Sequence, residues 1–334
     1  MKNIVVVGSG AFGTALSLVF LKAGHQVTLK PRRLAHANDL LQASENKCYL
    51  PGVPLPTHLC IDSTHTCLAT ADLIVMATPT QQTPTLLSEL KPFLPSGAPL
   101  LIVSKGILMA DPLSEPFISD WISNHMEGYP IYVMSGPNFA AEIARGLPAA
   151  ATLAYPDEVA AKEMAESLWH SHFRLYPATD RRGVEIAGAV KNVYAIACGI
   201  CVGLNLGQSA LAATITRSLA EIKRLGMAMG ARADTFLGLS GVGDLTMTCS
   251  SPQSRNMTLG LELAKGRVVA DILAERHTVA EGVATSKALH ILSAHYGVPM
   301  CLADAVYQIV HGGETVDAVI PELLSRHTVR FEGE

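Results

Sequence analysis

Charged side chains are scarce in this sequence: Asp, Glu, Lys and Arg together make up 16% of its 334 residues. The 25 basic and 29 acidic residues give a net charge of −4, and no long run carries charges of one sign. Binding to nucleic acid or to an anionic membrane surface needs a concentration of Lys and Arg, which is missing here. With 49% hydrophobic residues, the composition fits either a compact globular protein or a membrane protein.

A convincing membrane span is missing as well. The apolar run that ends at Val7 is too short for a secretory signal. The stretch 186–204 has the length of a span, but Lys191 and Asn192 interrupt it, and a Lys at the centre of a membrane helix costs about 3 kcal/mol. We therefore expect no integral membrane segment and a cytoplasmic protein.

Cysteine and histidine form no recognisable ligand set. The seven cysteines are odd in number and scattered, which favours buried thiols in a reducing compartment over a disulfide framework. Cys198 and Cys201 have C-x-x-C spacing, but they lie in an apolar helical stretch without a second pair. Core packing is therefore the favoured interpretation of this pair. The twelve histidines show no metal-ligand spacing, and we predict no metal ion.

The length of the chain favours about two domains of ordinary size. In the first 180 residues, short β-branched runs alternate with amphipathic segments, and the predicted strands are 4–7, 26–29, 73–76, 100–103, 131–134 and 150–154. Continuous apolar strands separated by helices indicate a parallel sheet covered on both faces. We predict an α/β fold: an N-terminal Rossmann-type doubly wound parallel sheet over residues 1–180, followed by an all-α C-terminal domain over residues 181–334.

A glycine-rich turn directly follows the first strand. Its sequence, Gly8-Ser9-Gly10-Ala11-Phe12-Gly13, opens into a helical segment that ends near Gly24. The glycines let the chain turn sharply and let backbone N–H groups approach a pyrophosphate at the helix N-terminus. A tight turn without a ligand is the alternative, but strand, glycines, helix and second strand occur in the order that dinucleotide binding requires.

Basic residues follow the second strand. An NAD enzyme is expected to carry an Asp or Glu about 20 residues beyond the glycines, for the ribose 2′-hydroxyl. This chain has Lys30-Pro31-Arg32-Arg33 instead. Cations suit the 2′-phosphate of NADP, so we predict NADPH as the preferred cofactor, with NADH possible. The alternative is a solvated basic turn.

Lys191 is the only charged residue in the apolar stretch 186–203. An ammonium in such a helix needs a partner or a ligand, unless its stem snorkels so that the head reaches water. Two further polar segments, Ser104-Lys105-Gly106 and Ser135-Gly136-Pro137-Asn138, follow predicted strands. The carboxyl ends of parallel strands are where ligands bind, so Lys105 and Asn138 are candidates for the same site as Lys191.

Two segments of the helical half carry the remaining candidates. Asp244 lies in the glycine-rich loop 239–245, and the segment Gln253-Ser254-Arg255-Asn256 offers a guanidinium beside hydroxyl and amide groups. Arg suits phosphate because of its planar fork. A helix cap or a surface ion pair is the alternative for either segment, and an N-cap fits Asp244 nearly as well.

These side chains suit hydride transfer to a carbonyl compound. Such a reaction needs a cation or an acid that neutralises the developing alkoxide, and Lys191 and Lys105 can do this. Asp244 would orient Lys191, while Arg255 and Asn256 would hold an anionic end of the substrate. The chemistry indicates a small phosphorylated or carboxylated carbonyl compound.

The motifs together resemble the bacterial-type NAD(P)-dependent glycerol-3-phosphate dehydrogenase family. The resemblance rests on seven segments in the family's order across nearly the whole chain: 8–15, 104–106, 135–137, 188–193, 241–245, 253–256 and 279–282. It implies interconversion of dihydroxyacetone phosphate and sn-glycerol 3-phosphate, which feeds phospholipid synthesis.

The resemblance also implies roles for single residues. Lys191 would be the proton donor or acceptor, with Lys105 and Asp244 beside it as catalytic residues. The implied substrate contacts are Lys105, Gly136, Asn138, Lys191, Asp244, Ser254, Arg255 and Asn256. With Gly8, Gly10 and Gly13 of the turn, the cofactor contacts are Ala11, Phe12, Arg32, Arg33, Lys105, Ala140, Arg255, Val279 and Glu281.

Three positions depart from the family pattern. Asn138 stands where Ser or Thr is usual, Phe12 replaces Trp or Tyr, and Lys30 takes a place often held by Trp.

Two rival interpretations of the function stay open: a dehydrogenase of the 6-phosphogluconate or β-hydroxyacid type, and a non-catalytic NADPH sensor. Small-residue helices in the second half further suggest a homodimer.

Overall fold

The computed structural model describes residues 1–275 and 280–325. The chain forms two compact units. The first consists of Met1–Ser104 and Ile118–Arg181, and the second consists of Lys105–Phe117 and the chain from Arg182 onward. The boundary at residue 180 stays a prediction, and it did not include the excursion of Lys105–Phe117 into the second unit.

The first unit is built on a sheet. Its strands, within the described residues, are β1 (Asn3–Val7), β2 (Gln26–Lys30), β3 (Glu45–Asn46), β4 (Leu50–Pro54), β5 (Cys60–Ile61), β6 (Leu73–Met76), β7 (Leu100–Ile102), β8 (Ile131–Ser135), β9 (Ala149–Ala154) and β10 (Phe173–Ala178). The sheet order is β10-β9-β8-β7-β6-β1-β2-β5, and β3 and β4 form a separate antiparallel hairpin. Because β1 lies between β2 and β6, the direction of winding reverses there, which is the ligand-binding position of doubly wound sheets.

Helices accompany this sheet along the chain. They are α1 (Ala11–Lys22), α2 (Leu34–Ala43), α3 (Thr83–Leu90), α4 (Ile118–His125), α5 (Ala140–Ala144) and α6 (Glu158–Ser167). Every residue of β6 is buried, as is every residue of β7. Such strands can be continuously apolar because both of their faces are covered. The predicted doubly wound sheet is therefore confirmed.

The sheet is mainly parallel, but its last two strands, β9 and β10, run opposite to the other six. The strand β9 runs antiparallel to β8, whereas β10 runs parallel to β9. A parallel crossover requires a connection that returns along the length of the sheet, usually through a helix. The segment between β8 and β9 contains only the five-residue helix α5, and the chain therefore enters β9 in the opposite direction.

The second unit is helical in the part of the chain that the structure describes. Its helices are α7 (Arg181–Gly203), α8 (Gln208–Ala228), α9 (Asp244–Ser250), α10 (Arg255–Leu263), α11 (Val269–Ala274), α12 (Glu281–Tyr296), α13 (Cys301–Val310) and α14 (Val316–Ser325). The helix α7 is long and apolar enough to cross a membrane, but 83% of its apolar window is buried inside the fold. It forms much of the hydrophobic core of this unit.

Glycines allow α7 and α10 to pack very closely. A Cβ atom on Gly199 would lie 2.1 Å from the carbonyl oxygen of Met257, and one on Gly260 would lie 2.1 Å from that of Ile196. No larger side chain fits at either position without moving a helix. This contact places the middle of α10 against the C-terminal half of α7, and it uses small residues that the sequence suggested for a dimer interface.

Candidate active site

A buried ion pair joins Lys191 of α7 to Asp244 of α9. The side chain of Lys191 is 6% exposed and that of Asp244 is fully buried, and the lysine Nζ donates to Asp244 Oδ1. The second carboxylate oxygen, Oδ2, accepts from Lys105 Nζ at 2.7 Å. Lys191 Nζ also donates to Thr248 Oγ1 at 2.7 Å. We call Lys105, Lys191 and Asp244 the charged trio.

A local departure from helical geometry places Asp244 in this trio. The segment Leu239–Gly243 forms a π-helical turn in which Gly241 has φ −89° and ψ −105°. A Cβ atom there would lie 2.1 Å from the carbonyl oxygen of Phe236, so only glycine fits. Such turns are frequent at functional sites. The N-cap of α9 is Gly243, and Asp244 is the first helical residue, whose carboxylate binds the two lysines.

The environment of the trio lowers the pKa of Lys191 toward neutral pH. Burial lowers the pKa of Lys191 to about 8, with Lys105 adding to the effect and Asp244 opposing it. Burial by itself would raise the pKa of Asp244, but the ammonium groups of Lys105 and Lys191 hold it below its usual value. An ionised carboxylate thus stabilises an acid whose pKa is close to the operating pH. With both lysines protonated, the trio carries one net positive charge.

A chain of amide groups orders the backbone around the trio. Asn192 Nδ2 donates to the carbonyl oxygen of Lys105 at 3.0 Å, and Asn256 Nδ2 donates to Asn192 Oδ1 at 3.0 Å. Asn256 Oδ1 in turn accepts from the backbone N–H of Gly282 at 3.1 Å. Asn256, which the sequence assigned to the substrate, therefore connects α10 to α7 and α12. Sequence reasoning assigned no role to Asn192, although its position next to Lys191 was a signal.

The remaining helical candidates lie at helix starts. Ser254 caps α10, and its Oγ accepts from the backbone N–H of Met257 at 3.2 Å, which leaves its O–H as a donor. Arg255 follows as the first residue of α10 and is exposed. Glu281 begins α12. Val279, a predicted cofactor contact, lies outside the described residues.

The first unit contains the glycine-rich turn between β1 and α1. Gly8 has φ +110°, and a Cβ atom there would lie 2.5 Å from the carbonyl oxygen of Ala77. A Cβ atom on Gly13 would lie 1.9 Å from the carbonyl oxygen of Gly8. A Cβ atom on Gly10, in contrast, would meet no described atom within 4 Å. The turn is thus tightly packed on one side and open at Gly10.

The start of α1 has the properties of an anion site. Gly10 is its N-cap, Ala11 and Phe12 are its first residues, and no side chain among the described residues caps it. No acidic residue occurs in its first turn. Backbone N–H groups at a helix start bind anions when nothing else satisfies them. The residues present therefore fit the pyrophosphate of a dinucleotide.

The basic turn after β2 divides into buried and exposed parts. Lys30 is 3% exposed, and its Nζ donates to the carbonyl oxygen of Ser63 at 3.0 Å. Burial lowers its pKa, with Asp62 among the groups that oppose the shift. Arg32 and Arg33 are exposed. The two guanidinium groups are thus accessible to a ligand, while Lys30 holds the loop after β5.

Three candidates follow β8. A Cβ atom on Gly136 would lie 2.8 Å from Ala151 Cα, so the turn packs directly on β9. Asn138 is buried, and its Nδ2 donates to the carbonyl oxygen of Ala150 at 3.2 Å. Its Oδ1 has no hydrogen-bond partner among the described residues. Ala140 is the first residue of α5. Gly136, Asn138 and Ala140 belong to the first unit, whereas the charged trio lies entirely in the second.

No metal site accompanies these residues in the described ranges 1–275 and 280–325, where no group of three His, Cys, Asp or Glu side chains could hold an ion. A doubly wound sheet with an open glycine-rich turn and a helical unit with a buried lysine–aspartate pair together define a nicotinamide-nucleotide-dependent dehydrogenase of the Rossmann class.

Comparison with known proteins identifies the family. Residues 3–161 match the model of the NAD-dependent glycerol-3-phosphate dehydrogenase N-terminus, and residues 180–321 match that of its C-terminus. The chain belongs to the NAD-dependent glycerol-3-phosphate dehydrogenase family.

Individual relatives are similar over nearly their full lengths. The glycerol-3-phosphate dehydrogenase [NAD(P)+] of Parvibaculum lavamentivorans is 42% identical over 325 residues, which cover 97% of both chains. That of Caulobacter vibrioides is 43% identical with the same coverage. Among solved structures, the glycerol-3-phosphate dehydrogenase of Coxiella burnetii aligns with a TM-score of 0.92 and 32% identity, covering 97% of this chain and 99% of that one.

Proposed function

We propose that this protein interconverts dihydroxyacetone phosphate and sn-glycerol 3-phosphate with NAD(P)H as hydride carrier, which supplies glycerol 3-phosphate for phospholipid synthesis. The observation that carries the proposal is the buried pair of Lys191 and Asp244 in a chain of this family. A buried, partly titrated lysine is the proton source that reduction of a ketone requires.

The chemistry of the trio follows from its charges. A nicotinamide cofactor, when bound, would supply or accept the hydride. Lys191 Nζ donates a proton to the carbonyl oxygen as the alcohol forms, and it accepts that proton when glycerol 3-phosphate is oxidised. Lys105 provides a second positive charge against the alkoxide that develops on this oxygen. Asp244, which binds both ammonium groups, keeps them at a fixed separation.

The phosphate of the substrate is assigned to the start of α10. Ser254 retains an O–H donor there, and Arg255 presents its guanidinium from the first helical position. Arg fits a phosphate with two parallel N–H donors, and a helix N-terminus adds favourable partial charge. The one net positive charge of the trio attracts the same dianion. Gly136 and Asn138 stay predicted substrate contacts, as does Asn256 apart from its internal bonds.

The cofactor is assigned to the turn Gly8–Gly13 and to the basic residues after β2. Gly10, Ala11 and Phe12 would provide the contacts to the pyrophosphate region, and Arg32 and Arg33 would bind the 2′-phosphate of NADPH. Ala140, Lys105, Arg255, Val279 and Glu281 stay predicted cofactor contacts. This assignment favours NADPH over NADH.

Turnover by the purified full-length protein tests the function. When dihydroxyacetone phosphate is added, we expect oxidation of NADPH, which is measured as the loss of NADPH absorbance. Dihydroxyacetone without phosphate and 6-phosphogluconate with NADP⁺ serve as controls and should give little activity. Binding of NADPH without turnover of dihydroxyacetone phosphate would contradict the proposal and favour a cofactor sensor.

A homodimer and a cytoplasmic location complete the proposal. Within the described residues, an apolar cavity of about 250 Å³ opens between α7, α8, α13 and α14. Leu206 and Leu324, which line it, are 42% and 74% exposed. Exposed apolar surface of this kind supports association of two copies. The molar mass in solution, measured by light scattering, tests the dimer, and cell fractionation tests the location.

A further inference from the structure

A buried asparagine outside the predicted site contacts the glycine-rich turn. Asn46 of β3 is 0% exposed. Its Nδ2 donates to the carbonyl oxygen of Ser9 at 2.9 Å and to Thr14 Oγ1 at 2.8 Å. Its Oδ1 accepts from the backbone N–H of Tyr49 at 3.3 Å. Both amide hydrogens and the amide oxygen are therefore engaged, and the two acceptors are themselves neighbours, since Thr14 Oγ1 donates to the carbonyl oxygen of Ser9 at 3.5 Å.

The bond to Ser9 determines where a backbone donor points. The carbonyl of Ser9 and the N–H of Gly10 belong to one planar trans peptide group, so they point in opposite directions. Because Asn46 holds the carbonyl on its own side, the N–H of Gly10 faces away from Asn46. Gly10 is also the position of the turn at which a Cβ atom would meet no described atom within 4 Å.

The bond to Thr14 secures the helical side of the turn. Thr14 lies in the first turn of α1, where its N–H donates to the carbonyl oxygen of Gly10 at 3.0 Å. Its hydroxyl accepts from the same Asn46 amide that holds Ser9. One side chain thus links the residue before Gly10 to the residue that closes the first helical bond after it.

The hairpin that carries Asn46 is itself firmly attached. Its strand β4 places Leu50 and Val53 in the hydrophobic core of the first unit. The backbone N–H of Gly52 donates to Glu45 Oε1 at 2.8 Å, which joins the two arms of the hairpin. Asn46 is therefore held by a hairpin that is anchored in the hydrophobic core of the first unit.

We propose that Asn46 is a positioning residue for the cofactor: it holds the glycine-rich turn with its N–H donors directed toward the pyrophosphate before the cofactor binds. The inference rests on the proposed function, which assigns the pyrophosphate to this turn. A turn that is ordered in advance binds more tightly, because the binding energy is not used to order it. An aspartate would place oxygen against the Ser9 carbonyl, and alanine would leave that carbonyl with only the longer bond of 3.5 Å from the Thr14 hydroxyl.

Binding of NADP⁺ to three variants tests the proposal. We expect Asn46→Ala to raise the Kd of NADP⁺, measured by calorimetry, about 10- to 100-fold, the range of one or two lost buried hydrogen bonds. Thr14→Val keeps the volume but removes the hydroxyl that accepts from Asn46 and donates to Ser9, and it should have a smaller effect in the same direction. The KM for dihydroxyacetone phosphate and kcat at saturating NADPH should change much less than the Kd of NADP⁺.

Asn46→Asp adds a readout that simple loss of structure would not produce. A buried carboxyl group facing a carbonyl is favoured in its protonated form, and the protonated form regains one donor. Relative to the unaltered protein, the affinity of this variant for NADP⁺ should therefore recover as the pH is lowered. A constant ratio across pH would overturn the proposal.

The chain offers a matched control. Asn3 Nδ2 donates to the carbonyl oxygen of Thr70 at 2.9 Å and to Thr70 Oγ1 at 3.0 Å, which is the same pair of acceptor types at the opposite end of β1. Asn3→Ala should leave the Kd of NADP⁺ unchanged. If Asn46→Ala folds and binds as the unaltered protein does, or if it cannot fold and Thr14→Val binds normally, the inference is wrong. If the unaltered protein fails to bind NADP⁺, the proposed function itself fails and the inference falls with it.

Discussion

Lys191 and Asp244 are 53 residues apart in the sequence and form an ion pair that is almost completely shielded from solvent. Neither charge is stable alone at such a depth, because the desolvation of an unpaired ion exceeds any packing gain. Each residue therefore stabilises the charge of the other. The carboxylate of Asp244 allows α7 to place an ammonium group in the core, and the ammonium group keeps the carboxylate ionised.

Replacing Lys191 by alanine should abolish most of the turnover. The loss in kcat should be about 100- to 10,000-fold, the usual contribution of a positioned proton donor. The Kd of NADP⁺ should stay within about 3-fold of its original value, since the glycine-rich turn lies in the other unit. Steady-state kinetics together with calorimetry check the prediction, and substantial residual turnover would exclude Lys191 as the proton donor.

Replacing Asp244 by asparagine should destabilise the protein. Two ammonium groups then share a buried site without a counter-charge, and breaking a buried ion pair in this way costs about 3–5 kcal/mol. Denaturant titration of the variant measures the loss in the free energy of unfolding. Glu275→Gln, which alters an exposed carboxylate paired with Arg267, is the control and should change it little. A loss no larger than that of the control would show that the trio is not an ion-pair cluster in solution.

The reaction should depend on pH around the pKa of Lys191, which burial lowers to about 8. Reduction of dihydroxyacetone phosphate needs the protonated lysine, so kcat should fall as the pH rises through about 8. Oxidation of glycerol 3-phosphate needs the neutral amine and should rise over the same range. Profiles of kcat in both directions measure this, and profiles that change in the same direction would contradict it.

The same residue makes stability depend on pH. Its folded pKa is about 8 and its ordinary value is 10.5, so the unfolded chain binds more protons between these values. The free energy of unfolding should therefore increase as the pH rises from about 8 to 10.5, and decrease again as the pH falls toward 8. Comparing the pH dependence of unfolding in the unaltered protein and in Lys191→Met isolates the contribution. Parallel curves would contradict the lowered pKa.

The exposed arginines after β2 should determine the choice of cofactor. Changing Arg32 and Arg33 together to serine should raise the KM for NADPH about 10- to 100-fold, because charge-assisted hydrogen bonds to the 2′-phosphate are lost. The KM for NADH should change little. Arg174→Ser, at an exposed position of β10, is the matched control. An equal loss with both cofactors would mean that the arginines act on structure and not on the 2′-phosphate.

The predictable part of the fold was the part with continuous apolar strands. The strands β6 and β7 are apolar and buried at every residue, so their composition alone marked them. The strand β10 was missed because Arg174, Tyr176 and Pro177 interrupt its apolar pattern and are exposed. The direction of β9 depends on the path of its connection, which composition does not encode.

The site was predictable where a residue conflicted with its surroundings. Lys191 in an apolar helix and Asp244 in a glycine-rich loop both needed partners, and pairing them was the natural hypothesis. Thr248 and Asn46 gave no such signal, because a neutral polar side chain is common in any environment. Their roles depend on distances across the fold that only the structure provides.

The excursion of Lys105–Phe117 has a consequence for protein engineering. Chimeras of two-domain enzymes are commonly joined at a single point, here near residue 180, to combine the cofactor half of one relative with the helical half of another. Such a splice would take Lys105 from one parent, and Lys191 and Asp244 from the other. A hybrid that takes Lys105, Lys191 and Asp244 from the same parent needs two additional junctions, one after Ser104 and one before Ile118.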